Sequence, residues 1–426
     1  MGKMTRIAML LVAVLVALCM VLCGCFGGND GSQTGSTENS QGGSQSDSSS
    51  ANDSFSDDDS DFDDSEDSDE TGGQTAEKIE VTGLGEVVSL SDEAVREYLT
   101  AATEAEQIEV LKKYSSLDLE KGGVPVRFSW KGNGSVRYTL YLADNENFDN
   151  ATEYVASGLV SELDVYNLVP ATTYYYKVEG TRSGDCSEVL HFKTDDVTVR
   201  FIRLDGGANA RDIGGYKSIN GSVNYGKIYR GSLSDGLGGL SEVGEKTLLN
   251  ELKVKTEINL SGDAKQKSEY LDGKVGYYRF DVGSYTDILD LASHNALPAS
   301  ARREYDANKA KELKKLFGVL ANKDNYPVII RCENGADGTG TVAFLINALL
   351  GVGEGDLIKD FELSSFSKVS GARYRSSMNA DKTAFDDSGV MQNDSEAFVA
   401  FGATINALKA NYGMAGKSLS YAVENY

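Results

Sequence analysis

Histidine is nearly absent from this chain: His191 and His294 are its only two among 426 residues. Standing apart, they exclude a histidine-rich metal site, and each reads as a surface or packing residue. Cysteine is also scarce. Of five, three lie before residue 26, leaving Cys186 and Cys332 in the body of the chain. These two are far apart and, by the patterning described below, fall in different domains, so no disulfide framework is expected. Basic charge is short as well, with 41 lysines and arginines against 65 acids and a net charge of −24. A nucleic-acid partner requires a basic face, so none is expected. Nothing in the sequence calls for a cofactor or a metal.

The N-terminus opens with Lys3 and Arg6, followed by an apolar run of sixteen residues, Ile7 to Leu22. That run is shorter than the ~20 residues of a spanning helix and fits the apolar core of a secretory signal. Directly after it, Leu22-Cys23-Gly24-Cys25 resembles the bacterial lipobox. The resemblance implies a leader over 1–25, a lipid on Cys25, and a protein held at the cell membrane on its extracytoplasmic face. An ordinary cleaved signal and an uncleaved anchor helix are the alternatives. Against both, the chain turns polar at once in Gly27-Gly28-Asn29-Asp30, with no stop-transfer bases.

Residues 26–75 are mostly Gly, Ser, Asp, Asn, Gln and Thr with almost nothing to bury, and carry eleven acids and no base between Asp53 and Glu70. Such a segment buries too little to offset its ordering entropy, and self-repulsion extends it. It lacks the spaced ligands and glycine of a calcium loop, so it reads as a disordered spacer. Setting aside its fourteen acids and the leader's two bases leaves −12 for residues 76–426.

A helical neck is expected over 76–121. Ser89-Leu90-Ser91-Asp92-Glu93 looks like a helix start, and Val95, Leu99, Ile108, Leu111 and Tyr114 recur among polar residues beyond it. Over 122–196 the pattern becomes short strands: Val126 to Trp130, Val136 to Leu142, Thr173 to Val178 and Val189 to Phe192. Strands at that spacing predict a small antiparallel sandwich. With an early-strand Trp130, the run Leu168, Pro170, Thr172 and Tyr174 resembles the corner of a fibronectin type III domain, which implies a spacer or binding platform. Cys186, in the hairpin around Gly184-Asp185, is expected to be a structural bystander.

From 197 to 426 strands and helices alternate. Val197 to Leu204, Lys255 to Leu260, Gly276 to Val282 and Tyr326 to Arg331 read as strands, while Leu240 to Leu252 and Ala307 to Leu320 read as helices. The last strand is apolar enough to be buried in a parallel sheet. It runs into Cys332-Glu333-Asn334-Gly335-Ala336-Asp337-Gly338-Thr339-Gly340, then an apolar helix from Thr341 to Leu350. Strand, glycine-rich loop and helix together make a phosphate-binding architecture, because loop amides and the positive helix end converge on an anion. A cysteine at the first loop position shares that field, which favours the thiolate and makes it a nucleophile.

The loop resembles the protein tyrosine phosphatase signature His-Cys-x5-Arg-Thr/Ser-Gly, and more narrowly that of the bacterial tyrosine/serine phosphatases. Asn209-Ala210-Arg211-Asp212-Ile213-Gly214-Gly215 and Gly226-Lys227-Ile228-Tyr229-Arg230-Gly231 are similar to two further motifs of that group, and the run Phe361 to Phe366 follows its order. The resemblance implies an α/β domain with a central, mainly parallel sheet, following the all-β sandwich. It also implies that Cys332 attacks phosphorus, Asp337 protonates the leaving oxygen and Thr339 assists thiolate release. Glu333, Asn334, Gly335, Ala336, Gly338 and Gly340 would cradle the phosphate, with Arg211 and Asp212 shaping the floor and wall. Phosphorylated protein, phospholipid or a small phosphate ester would be the partner. Segments from Asp287 to Tyr305 and from Ser364 to Asn393 are expected to cover the cleft.

Two positions depart from the family pattern. Arg331 stands where the family has His, and Gly338 where it has the arginine that forks onto phosphate oxygens. A third departure is Asn259-Leu260-Ser261, where relatives tend to carry Asp-Leu-Arg. Arg331, Arg373 and Arg375 are the candidate substitute cations. Three functions follow: a cysteine-dependent phosphatase, a pseudophosphatase that keeps the cradle without turnover, or a surface display protein whose sandwich does the binding.

Overall fold

The computed structural model describes residues 78–114, 123–182, 184–197, 199–234, 237–261, 269–288, 307–371, 373, 375 and 396–426. The leader with Cys25, the 26–75 tether and most of both expected covers lie outside the described residues.

The chain first lays down two short strands, β1 (Glu80–Val81) and β2 (Val87–Val88), before any helix. Two helices follow: α1 (Glu93–Thr100), with Asp92 accepting from the Ala94 amide as N-cap, and α2 (Glu104–Tyr114). Six more strands come next: β3 (Val126–Lys131), β4 (Arg137–Ala143), β5 (Thr152–Ser157), β6 (Glu162–Val165), β7 (Thr173–Gly180) and β8 (Leu190–Thr194). They form one sheet in the order β1-β3-β6 and another in the order β2-β8-β7-β4-β5. Period-two patterning drives this arrangement. Val126, Phe128 and Trp130 on β3 point into the same core as Tyr138, Leu140 and Leu142 on β4, and Phe192 on β8. At the corner before β7, the Val169 amide donates to the Tyr174 hydroxyl at 3.0 Å. The strands that precede the neck therefore belong with the sheets, while the neck helices pack elsewhere. Ala94, Val95, Tyr98 and Leu111 are buried in the core of the C-terminal α/β region.

That region is built on β9 (Gly207–Asp212), the hairpin of β10 (Lys217–Ser218) with β11 (Gly221–Ser222), β12 (Ile228–Leu233), β13 (Thr256–Asn259), β14 (Gly276–Arg279) and β15 (Val328–Cys332). Its helices are α3 (Glu242–Lys246), α4 (Ala307–Leu320), α5 (Gly338–Leu349), α6 (Glu354–Leu363), α7 (Glu396–Tyr412) and α8 (Leu419–Asn425). The main sheet runs β14-β13-β15-β12-β9 and is parallel except for β9 at its edge. Because β15 is central, all five of its residues are buried. The strand expected at Val197 to Leu204 is replaced by an extended segment lying along β9, bonded through Ile202 N to Ala210 O and Asp212 N to Arg200 O. The edge strand is formed instead by the Asn209-Ala210-Arg211-Asp212 motif. Among the described residues no helix is long and apolar enough to cross a membrane.

Candidate active site

The chain leaves β15 at Cys332 and re-enters a helix at Gly338, so residues 333–337 make a short loop against the start of α5. Its turn is at Gly335, with φ of +66°. A Cβ there would come within 2.7 Å of the Gly231 carbonyl carbon and the Ser232 amide, so the backbone of β12 admits only glycine. The Ala336 and Asp337 amides both donate to the Asn334 side-chain oxygen, at 3.0 and 3.2 Å. The Cys332 thiol lies 3.4 Å from that same oxygen. Two loop amides and the thiol thus share one acceptor, the Asn334 oxygen, and successive loop amides of this kind are suited to an anion. Thr339 is fully buried in the first turn of α5, and its hydroxyl has no partner among the described residues. The Glu333 carbonyl accepts from the Ser232 hydroxyl, and one of its carboxylate oxygens is buried with no partner among the described residues.

Beneath the loop lies a buried charge cluster. Arg230, from β12, donates to the Gly335 carbonyl at 2.8 Å and to Asp360 of α6 at 2.6 Å. Arg211, from β9, reaches the other Asp360 oxygen at 2.9 Å and Asn209 at 2.5 Å. Asn209 in turn donates to the Asn334 carbonyl at 3.2 Å. Its φ of +50° is a left-handed conformation that asparagine tolerates better than most residues, which accounts for Asn at the head of that motif. Burial pushes the Asp360 carboxyl up, but Arg211 and Arg230 outweigh it and hold the group below the usual carboxylate range. A Cβ at Gly340 would meet an Arg230 nitrogen at 3.2 Å and the Tyr285 hydroxyl at 3.3 Å, so α5 sits directly on this floor.

The geometry sorts the remaining candidates. Arg331 is fully buried and points to the far side of β15, where it pairs with Glu257 at 2.7 Å and stacks on Tyr270. Alternation along a strand puts it on the face opposite Cys332, so it does not supply the cation. Arg375 is held by Glu362 at 3.1 Å, by Glu104 at 3.1 Å and by Gln107, which turns it toward the neck and away from the loop. Asp212 caps the Gly214 and Gly226 amides at 2.9 and 2.6 Å and faces Arg200, so it braces the turn between β9 and β12 and does not wall the site. Arg211 acts one step away, through Asn209. Arg373 alone of the three substitute cations reaches the loop, with one guanidinium nitrogen 2.7 Å from Asp337. Asp337 accepts from Asn334 at 2.7 Å on its other oxygen, which is the arrangement of an acceptor and brace. Gly338 is closed off, since a Cβ there would lie 2.8 Å from the Leu260 carbonyl oxygen.

A model of the tyrosine phosphatase family matches residues 202–422, slightly more than half of the chain. The chain belongs to the tyrosine phosphatase family. No curated protein matches it. Among solved structures it is similar to a cysteine-to-serine variant of TpbA from P. aeruginosa in complex with pTyr, at 15% identity and a TM-score of 0.22, over 44% of this chain and 88% of that one.

Within this tyrosine phosphatase domain, the roles of Arg230, Asn209 and Asp360 emerge only from the fold. Arg230 and Asn209 lie inside the two family-like motifs, whose spelling alone assigns them no role. Asp360 carried a visible signal, shared with Glu362: an acid set among Leu357, Phe361 and Leu363 on the apolar side of α6.

Proposed function

We propose that this protein is a cysteine-dependent phosphatase that hydrolyses phosphate monoesters through a phosphocysteine at Cys332, acting outside the membrane to which a lipid on Cys25 ties it. The observation that carries the catalytic reading is the convergence of the Cys332 thiol and the Ala336 and Asp337 amides on one point, the Asn334 oxygen. A phosphate oxygen taking that point would draw the same two amides and lie beside the sulfur. Cys332 gives up its proton to solvent, the thiolate attacks phosphorus, the ester P–O bond breaks, and the leaving oxygen takes up a proton from solvent. Water next attacks phosphorus, the S–P bond breaks, and inorganic phosphate and the thiolate are released. The buried Thr339 hydroxyl is the proposed donor that stabilises the departing thiolate. Family membership supports phosphorylated substrates. Anchoring rests on the apolar leader and on the cysteine that follows it. The sandwich, with its fibronectin-like corner, serves in this reading as a spacer or platform.

The chemistry predicts a trapped intermediate. Rapid quenching during hydrolysis of an aryl phosphate should leave a phosphate on the peptide containing Cys332, detected by mass spectrometry as its added mass. Phosphate found on another residue, or burst-phase product with Cys332 unmodified, would refute the assignment. A cradle that binds phosphate but never forms the adduct would instead mark a pseudophosphatase. That second reading is favoured by the absence of any basic side chain between Cys332 and Gly340.

A further inference from the structure

A phosphate monoester is a dianion at neutral pH, and the loop that would receive it contributes two acids, Glu333 and Asp337, and no base. Amides and a helix end supply only partial charges. A loop with this composition needs a full positive charge from elsewhere to bind the ester and to stabilise the charge of the transition state.

Among the described residues two arginines touch the loop, one at its backbone and one at a side chain. Arg230 bonds the Gly335 carbonyl, and its other terminal nitrogen is spent on Asp360 beneath the loop. Arg373 reaches the loop at the Asp337 carboxylate. It bonds Asp337, whose other oxygen holds the Asn334 amide group, and the oxygen of that Asn334 is 3.4 Å from the Cys332 thiol. Its backbone amide is fixed to the Ser365 hydroxyl at 2.9 Å, and its guanidinium Nε donates to the Ser370 carbonyl at 2.9 Å. Ser370 itself grips the Asn334 carbonyl at 2.9 Å. The side chain is therefore held at two of its nitrogens and the backbone at a third point, and the residue is 7% exposed. Its remaining nitrogen, Nη1, is buried with no hydrogen-bond partner among the described residues. A guanidinium with two nitrogens tied down and one buried and unpartnered carries an unmet donor. Arg375, two residues on, is clamped between Glu362 and helix α2 of the neck.

We infer that Arg373 is the phosphate-binding cation of this site, supplied from the segment after α6 and held by Asp337. The inference rests on the phosphatase reading. Bound ester takes the Arg373 Nη1 donor together with the Ala336 and Asp337 amides, so Arg373 contacts the phosphoryl group, and Asp337 acts as its positioning residue.

The test uses the full chain, with Cys332→Ser, Arg373→Ala and Arg373→Lys, p-nitrophenyl phosphate as substrate and inorganic phosphate as a binding probe. The expected result is a loss of about 100-fold or more in kcat/KM for Arg373→Ala, partial recovery in Arg373→Lys, and recovery of Arg373→Ala by added guanidinium ion. Small-molecule rescue would not follow from a fold defect. Turnover in the parent that depends on Cys332 but is unchanged in Arg373→Ala would overturn the inference and leave the phosphatase reading standing. If the parent shows no turnover, the phosphatase reading fails, and phosphate binding decides the rest. Binding by the parent that Arg373→Ala loses would uphold the cation assignment, whereas equal binding by both, or by neither, would overturn it.

Discussion

At position 338 the chain has no room for the side chain that related loops carry. The sequence shows only that glycine replaces arginine there, which invites the expectation that restoring arginine restores function. The surroundings point the other way: the Leu260 carbonyl closes to 2.8 Å of where a Cβ would sit, and that atom is backbone. Gly338→Arg should therefore lower both the unfolding temperature and aryl phosphate turnover relative to the parent. Turnover higher than the parent's would show that the loop opens to accept the side chain and that the cation was simply lost. Arg331 teaches a similar lesson. Adjacent in sequence to the nucleophile, it is committed to Glu257 on the other face of the sheet, a fact that strand alternation foretold and that only the partner's position could complete. Arg373, 41 residues beyond the cysteine, was legible as a candidate by its charge but not by its place, because no local periodicity ties it to the loop.

At the scale of elements, one carboxylate joins three of them. Asp360 on α6 holds Arg211 of β9 and Arg230 of β12 together beneath the loop. A buried pair of guanidiniums is tolerable only while the carboxylate between them is charged. The folded-state pKa of Asp360 lies below its ordinary value, so its contribution to stability is fully present above about pH 4. It is lost as the pH falls below that, through the depressed folded value. The stability difference between the parent and Asp360→Asn, measured by denaturant unfolding, should be of the order of 3–5 kcal/mol near neutrality. It should narrow as the pH is taken from about 5 to below 4. A difference independent of pH over that interval would mean that the charge of Asp360 is not what holds the elements together. Strand β15, the loop and helix α5 were readable from the apolar run, the glycines and the second apolar run. The edge strand was not. Its motif spells Asn-Ala-Arg-Asp, with no apolar alternation, and it is a strand because β12 pairs with it and its polar side chains find buried partners.

Across the whole molecule, the neck is the feature whose placement the sequence left open. Amphipathic spacing foretold helices, but an apolar stripe does not name what it packs against. Here it seals the phosphatase core, and the Tyr98 hydroxyl donates to the buried Glu362 at 2.5 Å. Glu362 also holds Arg375, so this bond connects the neck to the segment that carries Arg373. Tyr98→Phe should cost about 1–3 kcal/mol of stability by leaving a buried carboxylate oxygen short of a donor. It should lower kcat/KM less than Arg373→Ala does. Unchanged stability in chemical denaturation would show that the neck does not brace this domain.

The central claim is that Cys332 performs nucleophilic catalysis on a phosphate ester. Steady-state hydrolysis of p-nitrophenyl phosphate by the full chain and by Cys332→Ser tests it most directly. The parent should show saturable turnover and Cys332→Ser none, with both forms equally folded by circular dichroism. Equal rates in the two would contradict it, because the thiol at the head of the loop would then take no part in the reaction.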